Sequence, residues 1–357
     1  MKKVLFVIPS LSGGGAERVV SEISSELSST YEVYILIFYK SIEEYKVSKN
    51  VKIINLSNGE KKEYFQIGRL NRLRKIRKTI KDINPDAIIP FLSFVCIYCF
   101  ISLLFTKYIN RLIFTERCNP KFFSKKISFL KKICQIFIKK IIVQNSGQQS
   151  QLMLYEKRKS FIIPNPINKD YLEFDKKLPQ TPTHIISIGR LTKQKNYELA
   201  INAFNNLLKD YPNMIYHIYG QGEENESISN LINDLCIHKN VILEGYCSCI
   251  ENKYKNADIY LMTSKFEGLP NALAESMAVG IPSISTNCDF GPSDLIENED
   301  MGILVKEGDQ KEVENALRYM ILNYQKYINL SKKTKEKMKQ KYSIESIKNK
   351  WIEVIEK

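Results

Sequence analysis

The chain has 357 residues, of which 44% are hydrophobic and 26% are charged. This length and composition exclude a disordered segment and a small disulfide-stapled domain, and they allow two globular domains, each with its own core. The formal net charge is +14, and residues 1–165 hold 29 Lys or Arg against 12 Asp or Glu, whereas the remainder holds 24 against 27. Such a bias predicts that one half meets an anionic surface, with lysines on solvated faces as the alternative.

The cysteine pattern and the start of the chain point to a reducing compartment. Eight cysteines lie mostly in apolar stretches, and the first apolar run is too short for a secretory signal. We therefore expect a cytoplasmic protein whose cysteines are free core thiols. Cys96-x-x-Cys99 and Cys247-x-Cys249 have metal-like spacing, but neither pair has a convincing partner pair, so no zinc site is expected.

The first predicted elements are a strand over Lys3–Ile8, a glycine-rich loop and a helix over about residues 17–27. Gly14 and Gly15 in this loop would let the backbone approach a diphosphate at the helix start. The loop is not a dinucleotide fingerprint, because Arg18 stands at the third glycine position. In addition, Lys40 follows the next strand where a ribose-binding acid would be expected. Taken alone, the loop is a weak signal.

Strands and helices keep alternating through the first half. Residues 87–106 carry no charge over the length of a membrane span, but Pro90 and Ser93 interrupt them, so a buried strand followed by an apolar helix is favoured. In residues 121–140, lysine pairs recur between aromatic and aliphatic residues. This pattern fits a helix lying on an anionic membrane and, equally, an amphipathic helix packed on the sheet. Further strands are predicted over residues 33–38, 51–56, 86–91, 141–143 and 160–163.

A polar connection over residues 165–183 leads to a second α/β series. Its first predicted strand, His184–Ile188, runs into a loop that contains Arg190 and Lys195. Two cations at a strand end could clamp a diphosphate and stabilise it as it leaves, although an isolated pair of this kind is more often solvated. The strands that follow are predicted over residues 214–219, 241–243, 259–262, 282–285 and 302–305.

Residues 259–285 are predicted to form a strand, a tight turn, a short helix and another strand. Pro270 suits the first turn of the helix, which would begin near the carboxyl end of a strand, where parallel sheets bind anionic ligands. Glu267 and Glu275 flank this helix start, and carboxylates there would accept hydrogen bonds from hydroxyls on either side of a phosphate. That arrangement describes a sugar nucleotide. The alternative is that Glu267 complements the helix dipole and Glu275 is solvated.

Three motifs together resemble the retaining GT-B glycosyltransferases of family four. They are Gly13-Gly-Gly-Ala-Glu-Arg18, Gly189-Arg-Leu-x-x-x-Lys195-Asn196 and Phe266-Glu-Gly-Leu-Pro-Asn-x-Leu-x-Glu275. Phe290-Gly-Pro-Ser, with Gly302-x-Leu-Val, is similar to the bacterial surface-polysaccharide members, of capsule and O-antigen type. The resemblance covers the whole chain.

The resemblance implies an α/β, GT-B fold with two Rossmann-like domains facing across a cleft. Residues 1–165 would form an acceptor-binding domain and residues 166–342 a nucleotide-sugar-binding domain, with a C-terminal helix in residues 343–357 that packs back on the first domain. It also implies that Arg190 and Lys195 hold the donor diphosphate and that Glu267 contacts the transferred sugar. The expected donor-binding residues are Gly14, Gly15, Arg190, Lys195, Gly222, Tyr246, Gly268, Leu269, Pro270, Asn271 and Glu275.

The absence of a metal motif and one departure from the family pattern affect the site. No Asp-x-Asp occurs, so neither a metal nor another cofactor is expected, and the cations would take the place of a metal. Many members carry a histidine at the end of a first-domain strand, but the three histidines of this chain all lie in its second half. Glu116, together with Arg117, stands at the corresponding place and is expected to face the acceptor or the sugar. A buried Glu–Arg structural pair is the alternative.

The expected reaction moves a hexose or N-acetylhexosamine from a nucleotide diphosphate, expected to be UDP, to a lipid-linked or polysaccharide acceptor in cell-surface glycan synthesis. A polyprenyl-diphosphate-linked glycan is the expected acceptor. The basic first half predicts peripheral attachment to the inner face of the cytoplasmic membrane. Nucleic acid is disfavoured, because the basic segments lack regular aromatic interleaving. The alternatives are a sugar-nucleotide epimerase of GT-B fold and a non-catalytic basic membrane-binding protein.

Overall fold

A computed structural model describes residues 1–12, 14–41, 44–57, 67–117 and 125–357, excluding the side chains of residues 125, 126, 250 and 251. The chain divides into two units. The first consists of Met1–Pro166 together with Ile344–Lys357, and the second consists of Ile167–Ser343.

Parallel strands form the sheet of the first unit. Its strands are β1 (Lys3–Ile8), β2 (Glu32–Ile37), β3 (Lys52–Asn55), β4 (Ala87–Pro90), β5 (Ile113–Thr115), β6 (Lys140–Val143) and β7 (Ser160–Ile162). They pair in the orders β3-β2-β1-β4 and β5-β6-β7, and a parallel bridge between Ile88 and Leu112 joins the two sets. The apolar run Val4–Ile8 is fully buried, as expected for a central strand covered on both faces.

Helices cover this sheet. They are α1 (Gly15–Leu27), α2 (Arg69–Ile83), α3 (Ser93–Leu103), α4 (Lys125–Phe137), α5 (Ser146–Ser150), α6 (Leu154–Lys157) and the last helix of the chain, α15 (Ile344–Glu356). In α1, Val20, Ile23 and Leu27 are fully buried, and their spacing of three and four residues gives the helix one apolar face.

The C-terminal helix α15 belongs to the first unit. Trp351 is fully buried, and its ring centroid lies 5.9 Å from that of Phe91 and 6.1 Å from that of Phe6. At the end of the helix, Glu356 accepts a hydrogen bond of 2.7 Å from the Tyr31 hydroxyl and pairs with Lys2. Buried aromatic packing and terminal polar contacts therefore fix α15 on the sheet.

The uncharged stretch of residues 87–106 divides as predicted into a strand, β4, and a separate helix, α3. The break falls at Leu92, whose φ is +77°, and α3 is only 11 residues long. Among the described residues, no helix has both the length and the apolar character needed to cross a bilayer.

The second unit is a doubly wound parallel sheet. Its strands are β8 (His184–Ile188), β9 (Ile215–Tyr219), β10 (Val241–Gly245), β11 (Ile259–Met262), β12 (Ser283–Thr286) and β13 (Ile303–Val305). Its helices are α7 (Lys169–Glu173), α8 (Tyr197–Leu207), α9 (Asn225–Asp234), α10 (Ile250–Tyr254), α11 (Asn271–Val279), α12 (Pro292–Leu295), α13 (Gln310–Leu322) and α14 (Tyr324–Tyr342). The strand order is β10-β9-β8-β11-β12-β13, so the order reverses between β8 and β11. Sheets of this kind bind ligands at that reversal, beyond the carboxyl ends of the strands.

The cysteines only partly follow the expectation of core thiols. Those that are free and buried are Cys96, Cys99, Cys134 and Cys288. The expectation is wrong for Cys236 and Cys249, which are exposed, and for Cys247, which is half-buried. These three lie at a helix end and in the loop after β10, where the chain turns on the surface. Cys118 lies outside the described residues.

Candidate active site

Two loops of the second unit meet at the reversal of strand order. The loop after β8 carries Arg190 and Lys195, and the loop after β11 carries Glu267 and leads into α11. The two strands are neighbours in the parallel sheet, with Ile259 opposite Ile185. Residues that are separated by about seventy positions in sequence are therefore brought to one edge of the sheet, where the topology places a ligand crevice.

Hydrogen bonds join these two loops into one surface. The side-chain amide of Gln194 donates to the carbonyl of Phe266 over 2.8 Å, and the Lys265 amide donates to the Gln194 carbonyl over 2.8 Å. The buried Thr263 hydroxyl donates to the carbonyls of Lys195 and Asn196, at 3.1 and 3.0 Å. The backbone of the cation loop is thus held against the backbone that precedes Glu267.

Lys195 and Glu267 form an ion pair within this surface. The Lys195 Nζ lies 2.6 Å from Glu267 Oε1, and the two side chains are 19% and 8% exposed. A charge-assisted hydrogen bond of this length fixes both groups. The structure therefore brings together two residues for which separate roles were predicted, and it leaves the lysine in partial contact with solvent.

Arg190 differs from Lys195 in its surroundings. Its side chain is exposed, and among the residues that the structure describes it has neither a hydrogen-bond nor an ion-pair partner. An exposed guanidinium at a strand end keeps its forked donors for an incoming anion. Arg190 therefore remains a candidate for binding a diphosphate.

The start of α11 is built by a close contact between two turns. The helix runs from Asn271 to Val279 with Pro270 at its N-cap position. Gly291, at φ +93°, lies so close that a Cβ on it would be 2.3 Å from the Gly268 carbonyl oxygen and 2.5 Å from Pro270 Cδ. Only glycine fits there. The first turn of α11 leaves backbone N–H groups without partners inside the helix, and its dipole favours an anion.

Glu275 lies on α11 and is 7% exposed. The alternative interpretation of Glu275 as a solvated helix residue is therefore wrong. Burial, followed by the charges of Tyr197, Glu267 and Glu275, raises the pKa of the fully buried Tyr260 well above its usual value. The charges of Glu267 and Glu275 therefore both affect the pKa of the Tyr260 phenol. A carboxylate that is buried on a helix needs hydrogen-bond donors.

The loops after β9 and β10 stack on the cation loop. The Leu191 amide donates to the Gln221 carbonyl over 3.0 Å, and the Gly220 amide donates to the Gly245 carbonyl over 2.8 Å. A Cβ on Gly222 would lie 2.2 Å from the Leu191 carbonyl oxygen, so the close contact requires glycine. Tyr246 follows Gly245 and is 76% exposed. Its open ring face is the kind on which a base stacks.

The second unit also contains a cavity of about 710 Å³. None of the predicted site residues lines this cavity. Its walls include Glu297, Glu299 and Glu312, and neighbouring carboxylates repel a diphosphate. Glu297 pairs with Lys337 and Lys341, which lower its pKa and offset its charge, so the repulsion comes from Glu299 and Glu312. Volume alone therefore does not identify the anion site.

In the first unit, a carboxylate covers the glycine loop. Gly14 is the N-cap residue of α1, and a Cβ on it would lie 2.1 Å from Glu17 Oε2. Burial raises the pKa of Glu17. Gly14 and Gly15 are thus at a helix start, as predicted, but Glu17 has to move before a phosphate can contact Gly14.

Glu116 is buried at the end of β5, with 1% of its surface exposed. Its carboxylate accepts a hydrogen bond of 2.9 Å from the Ser93 hydroxyl and pairs with Lys131 of α4. Lys131 is 7% exposed. The carboxylate therefore binds α4 to the strand end, and the alternative of a Glu–Arg pair is replaced by a Glu–Lys pair.

This pair gives a stability prediction. Glu116→Gln would leave Lys131 charged and buried, and we expect a loss of about 3–5 kcal/mol in the free energy of unfolding of the first unit. Adding Lys131→Met should recover most of it. Urea unfolding followed by Trp351, the single tryptophan of the chain, reports on this unit. Lys357→Met, in an exposed pair with Glu353 of the same unit, should change little, and equal losses in Glu116→Gln and Lys357→Met would contradict the prediction.

Sequence reasoning missed several residues that build the site. Gln194 and Thr263 join the two loops through backbone carbonyls, and Lys131 neutralises Glu116. Gln194 lies between Arg190 and Lys195 in the cation motif, so its position in the sequence could have indicated a role in the site. No local pattern indicates the partner of Lys131, because its contact depends on how α4 packs.

A profile of the family described as "Glycosyl transferases group 1" matches residues 168–337. An uncharacterized glycosyltransferase of Haemophilus influenzae is 26% identical over 359 residues, covering 98% of this chain and 99% of that protein. The GalNAc-alpha-(1->4)-GalNAc-alpha-(1->3)-diNAcBac-PP-undecaprenol alpha-1,4-N-acetyl-D-galactosaminyltransferase of Campylobacter jejuni is 27% identical over 361 residues, covering 99% of this chain and 98% of that protein.

Among solved structures, that of Anabaena Alr3699/HepE in complex with UDP and glucose is similar in fold. Its TM-score is 0.80 with 17% sequence identity, and the match covers 100% of both chains. The matched profile lies within the second unit, which contains the Arg190–Lys195 loop and the start of α11.

Proposed function

Since this chain belongs to the GT-B glycosyltransferases of family four, we propose that its second unit binds a nucleotide-diphosphate sugar and transfers the sugar with retention of configuration. The chain is a glycosyltransferase of polysaccharide or lipid-linked glycan biosynthesis. The single observation that carries the proposal is the joining of the Arg190–Lys195 loop to the turn before α11. That geometry puts cations and a helix start at one edge of the sheet.

The proposed chemistry depends on stabilising the leaving diphosphate. Arg190, Lys195 and the first amides of α11 would bind its oxygens as negative charge develops on them. The bond between the sugar carbon and the diphosphate oxygen breaks, and the acceptor oxygen bonds to the same face of that carbon. The acceptor proton passes to the departing phosphate oxygen. No metal or other cofactor is part of this proposal.

Lys195 has two partners in this scheme. In the structure its Nζ binds Glu267, and on donor binding it would turn to the diphosphate. Glu267 would then accept hydrogen bonds from the hydroxyls of the transferred sugar, while Glu275 would accept them from the ribose. Because both carboxylates are buried, water would compete weakly for these hydrogen bonds.

We propose UDP as the nucleotide carrier and a hexose or N-acetylhexosamine as the sugar. The Anabaena structure contains UDP and glucose, and the Campylobacter enzyme is named for transfer of N-acetylgalactosamine. Gly222 and Tyr246 would seat the base, because Gly222 packs on the loop of Arg190 and Tyr246 offers an open ring.

The proposed acceptor is a glycan linked to polyprenyl diphosphate, as the name of the Campylobacter relative describes for that enzyme. Such an acceptor lies in a membrane, and α4 has an unusual pattern that suits this location. Its buried side carries Lys131 and Gln135, whereas Phe129 and Phe137 are 65% and 62% exposed. A helix that buries a lysine and exposes phenylalanines needs an apolar partner.

We propose that this helix and its neighbour form the membrane-facing surface of the first unit. The Phe137 ring lies 6.1 Å from that of Phe100 in α3, and Phe105, just after α3, is 99% exposed. Lys107, Lys132 and Lys139, which lie two or three residues from Phe105, Phe129 and Phe137 in sequence, are exposed. Apolar side chains within a basic rim fit a bilayer with anionic head groups, which would keep the protein on the inner face of the cytoplasmic membrane.

The membrane-facing surface can be tested by co-sedimentation with vesicles. We expect Phe105→Ser, Phe129→Ser and Phe137→Ser together to lower the partition coefficient by at least about tenfold, because each phenylalanine loses its apolar transfer energy. Leu322→Ser, at a residue that is 76% exposed in the second unit, is the matched control. Binding that is unchanged in the triple variant, or equal on neutral vesicles, would remove this surface from the proposal.

The transfer itself is tested by nucleotide screening. Nucleoside diphosphates should raise the melting temperature of the chain by binding the folded state, with UDP giving the largest shift. The matching UDP-sugars should then release UDP only when an acceptor glycan is added. Formation of an epimer from the UDP-sugar without acceptor would indicate an epimerase and contradict glycosyl transfer.

A further inference from the structure

Arg117 is a buried cation whose charge no carboxylate of the described residues balances. It is 8% exposed, and its Nη1 donates to Asn165 Oδ1 over 2.9 Å and to the Ile163 carbonyl over 3.4 Å. Both acceptors are neutral. The adjacent Glu116 is already engaged by Lys131 and Ser93. Among the described residues, no carboxylate therefore helps to offset the cost of burying this guanidinium.

The other edge of the guanidinium makes no hydrogen bond to the part of the chain that the structure describes. Nε and Nη2 of Arg117 are both buried, and neither makes a hydrogen bond within the described residues. Nε and Nη2 lie side by side on the edge that takes both oxygens of a carboxylate or phosphate. Burial lowers the pKa of Arg117 to about 9, whereas a paired carboxylate would raise it. The group thus stays protonated near neutral pH while this edge lacks an acceptor.

Aromatic rings hold the guanidinium in place. Its central carbon lies 4.7 Å from the centroid of Phe91 and 5.6 Å from that of Trp351. The Trp351 Nε1 is a third buried donor without a partner among the described residues. Gln144 supports the Nη1 side of the guanidinium, because its Nε2 also donates to Asn165 Oδ1, over 3.0 Å. Hydrogen bonds and aromatic contacts therefore hold the guanidinium of Arg117 in place. Its remaining polar atoms, Nε and Nη2, are both hydrogen-bond donors.

Arg117 also lies where a parallel sheet binds ligands. It follows β5, Phe91 follows β4, and Gln144 follows β6, so all three stand at the carboxyl ends of adjacent strands. From these observations we propose that the first unit contains an oxyanion site, in which the Nε and Nη2 edge of Arg117 binds both oxygens of one carboxylate or phosphate group. This site consists of residues of the first unit alone, and its existence does not rest on the diphosphate site proposed for the second unit.

The site can be followed by the fluorescence of Trp351, because it is the only tryptophan of the chain and lies next to Arg117. Sodium phosphate and sodium glucuronate are titrated at constant ionic strength, with chloride as the reference. We expect a saturable change in emission for at least one of them. A response to phosphate alone indicates an inorganic or ester phosphate as the natural group, and a response to glucuronate alone indicates an acidic sugar.

Three variants decide the assignment. Arg117→Gln should abolish the response, and Arg117→Lys, which keeps the charge but lacks the paired edge, should weaken binding by about tenfold or more. Arg77→Gln, at an exposed helix position, should respond like the wild type. Lys195→Met should also keep the response, so a failure of the diphosphate site is distinguished from a failure of this one.

Two outcomes would overturn the oxyanion site. One is the absence of a saturable change with either anion in the folded wild type. The other is an equal response in Arg117→Lys and the wild type. Circular dichroism of each variant checks that it is folded, and the lysine variant keeps the test valid if Arg117→Gln does not fold.

Discussion

Replacing Lys195 with methionine is expected to lower kcat by about 10²–10³-fold, the usual effect of removing one group that stabilises developing charge in a closed site. The reason is that the ammonium would bind the diphosphate most strongly as it leaves. Binding of the intact donor should weaken less than the rate falls, because the effect lies mainly in the transition state. Initial rates with a UDP-sugar and acceptor, together with donor affinity from calorimetry, measure the two quantities.

Two controls separate catalysis from stability in this experiment. Lys193→Met removes an exposed cation from the same loop and should leave kcat within about twofold of the wild type, since surface substitutions away from special contacts have small effects. Lys195→Met also leaves Glu267 buried without its cation, so the melting temperatures of this variant and of the double variant with Glu267→Gln show whether the loss comes from misfolding. A Lys195→Met enzyme with near-normal turnover would contradict the proposed role.

Gly291→Ala is expected to be the most damaging substitution that touches no ligand. Its new methyl group would lie 2.3 Å from the Gly268 carbonyl oxygen and 2.5 Å from Pro270 Cδ, so the turn before α11 has to move. A shift of about 1 Å in positioning groups can cost about 10²-fold in rate. We therefore expect loss of donor binding in calorimetry and a drop in kcat/KM of at least that size.

Gly308→Ala is the matched control for this prediction. Gly308 also has a positive φ, +77°, but a Cβ on it would meet nothing within 4 Å. Both variants carry the strain of a left-handed backbone, which is of order 1–2 kcal/mol, and only Gly291→Ala adds the clash. If the two variants bind donor equally well, the contact between the Gly291 and Gly268 turns has no part in the site.

The sequence predicted much of the fold because the central strands are continuous apolar runs. The predicted bounds of β1, β8 and β11 agree with the structure, since buried parallel strands have few polar residues to blur their ends. The three-residue strand β5 (Ile113–Thr115) is missing from the predicted strands. So short a segment has no periodicity of its own, and only its pairing with β6 defines it.

The site was predictable where its residues are close in sequence. The helix start near Pro270 and the loop of Arg190 and Lys195 follow from local turn and charge patterns. The ion pair between Lys195 and Glu267 does not, because it depends on β8 and β11 being neighbours in the sheet. A sequence also leaves open which side of a helix is buried. For that reason the exposure of Phe129 and the burial of Lys131 emerge only from packing.

The most direct measurement is a crystal structure of the chain with a bound nucleoside diphosphate, with UDP as the probe. The central claim predicts phosphate oxygens within about 3 Å of backbone amides at the start of α11, with Lys195 Nζ moved from Glu267 to the diphosphate and Arg190 beside it. A diphosphate bound elsewhere in the second unit, with Lys195 still on Glu267, would contradict the claim.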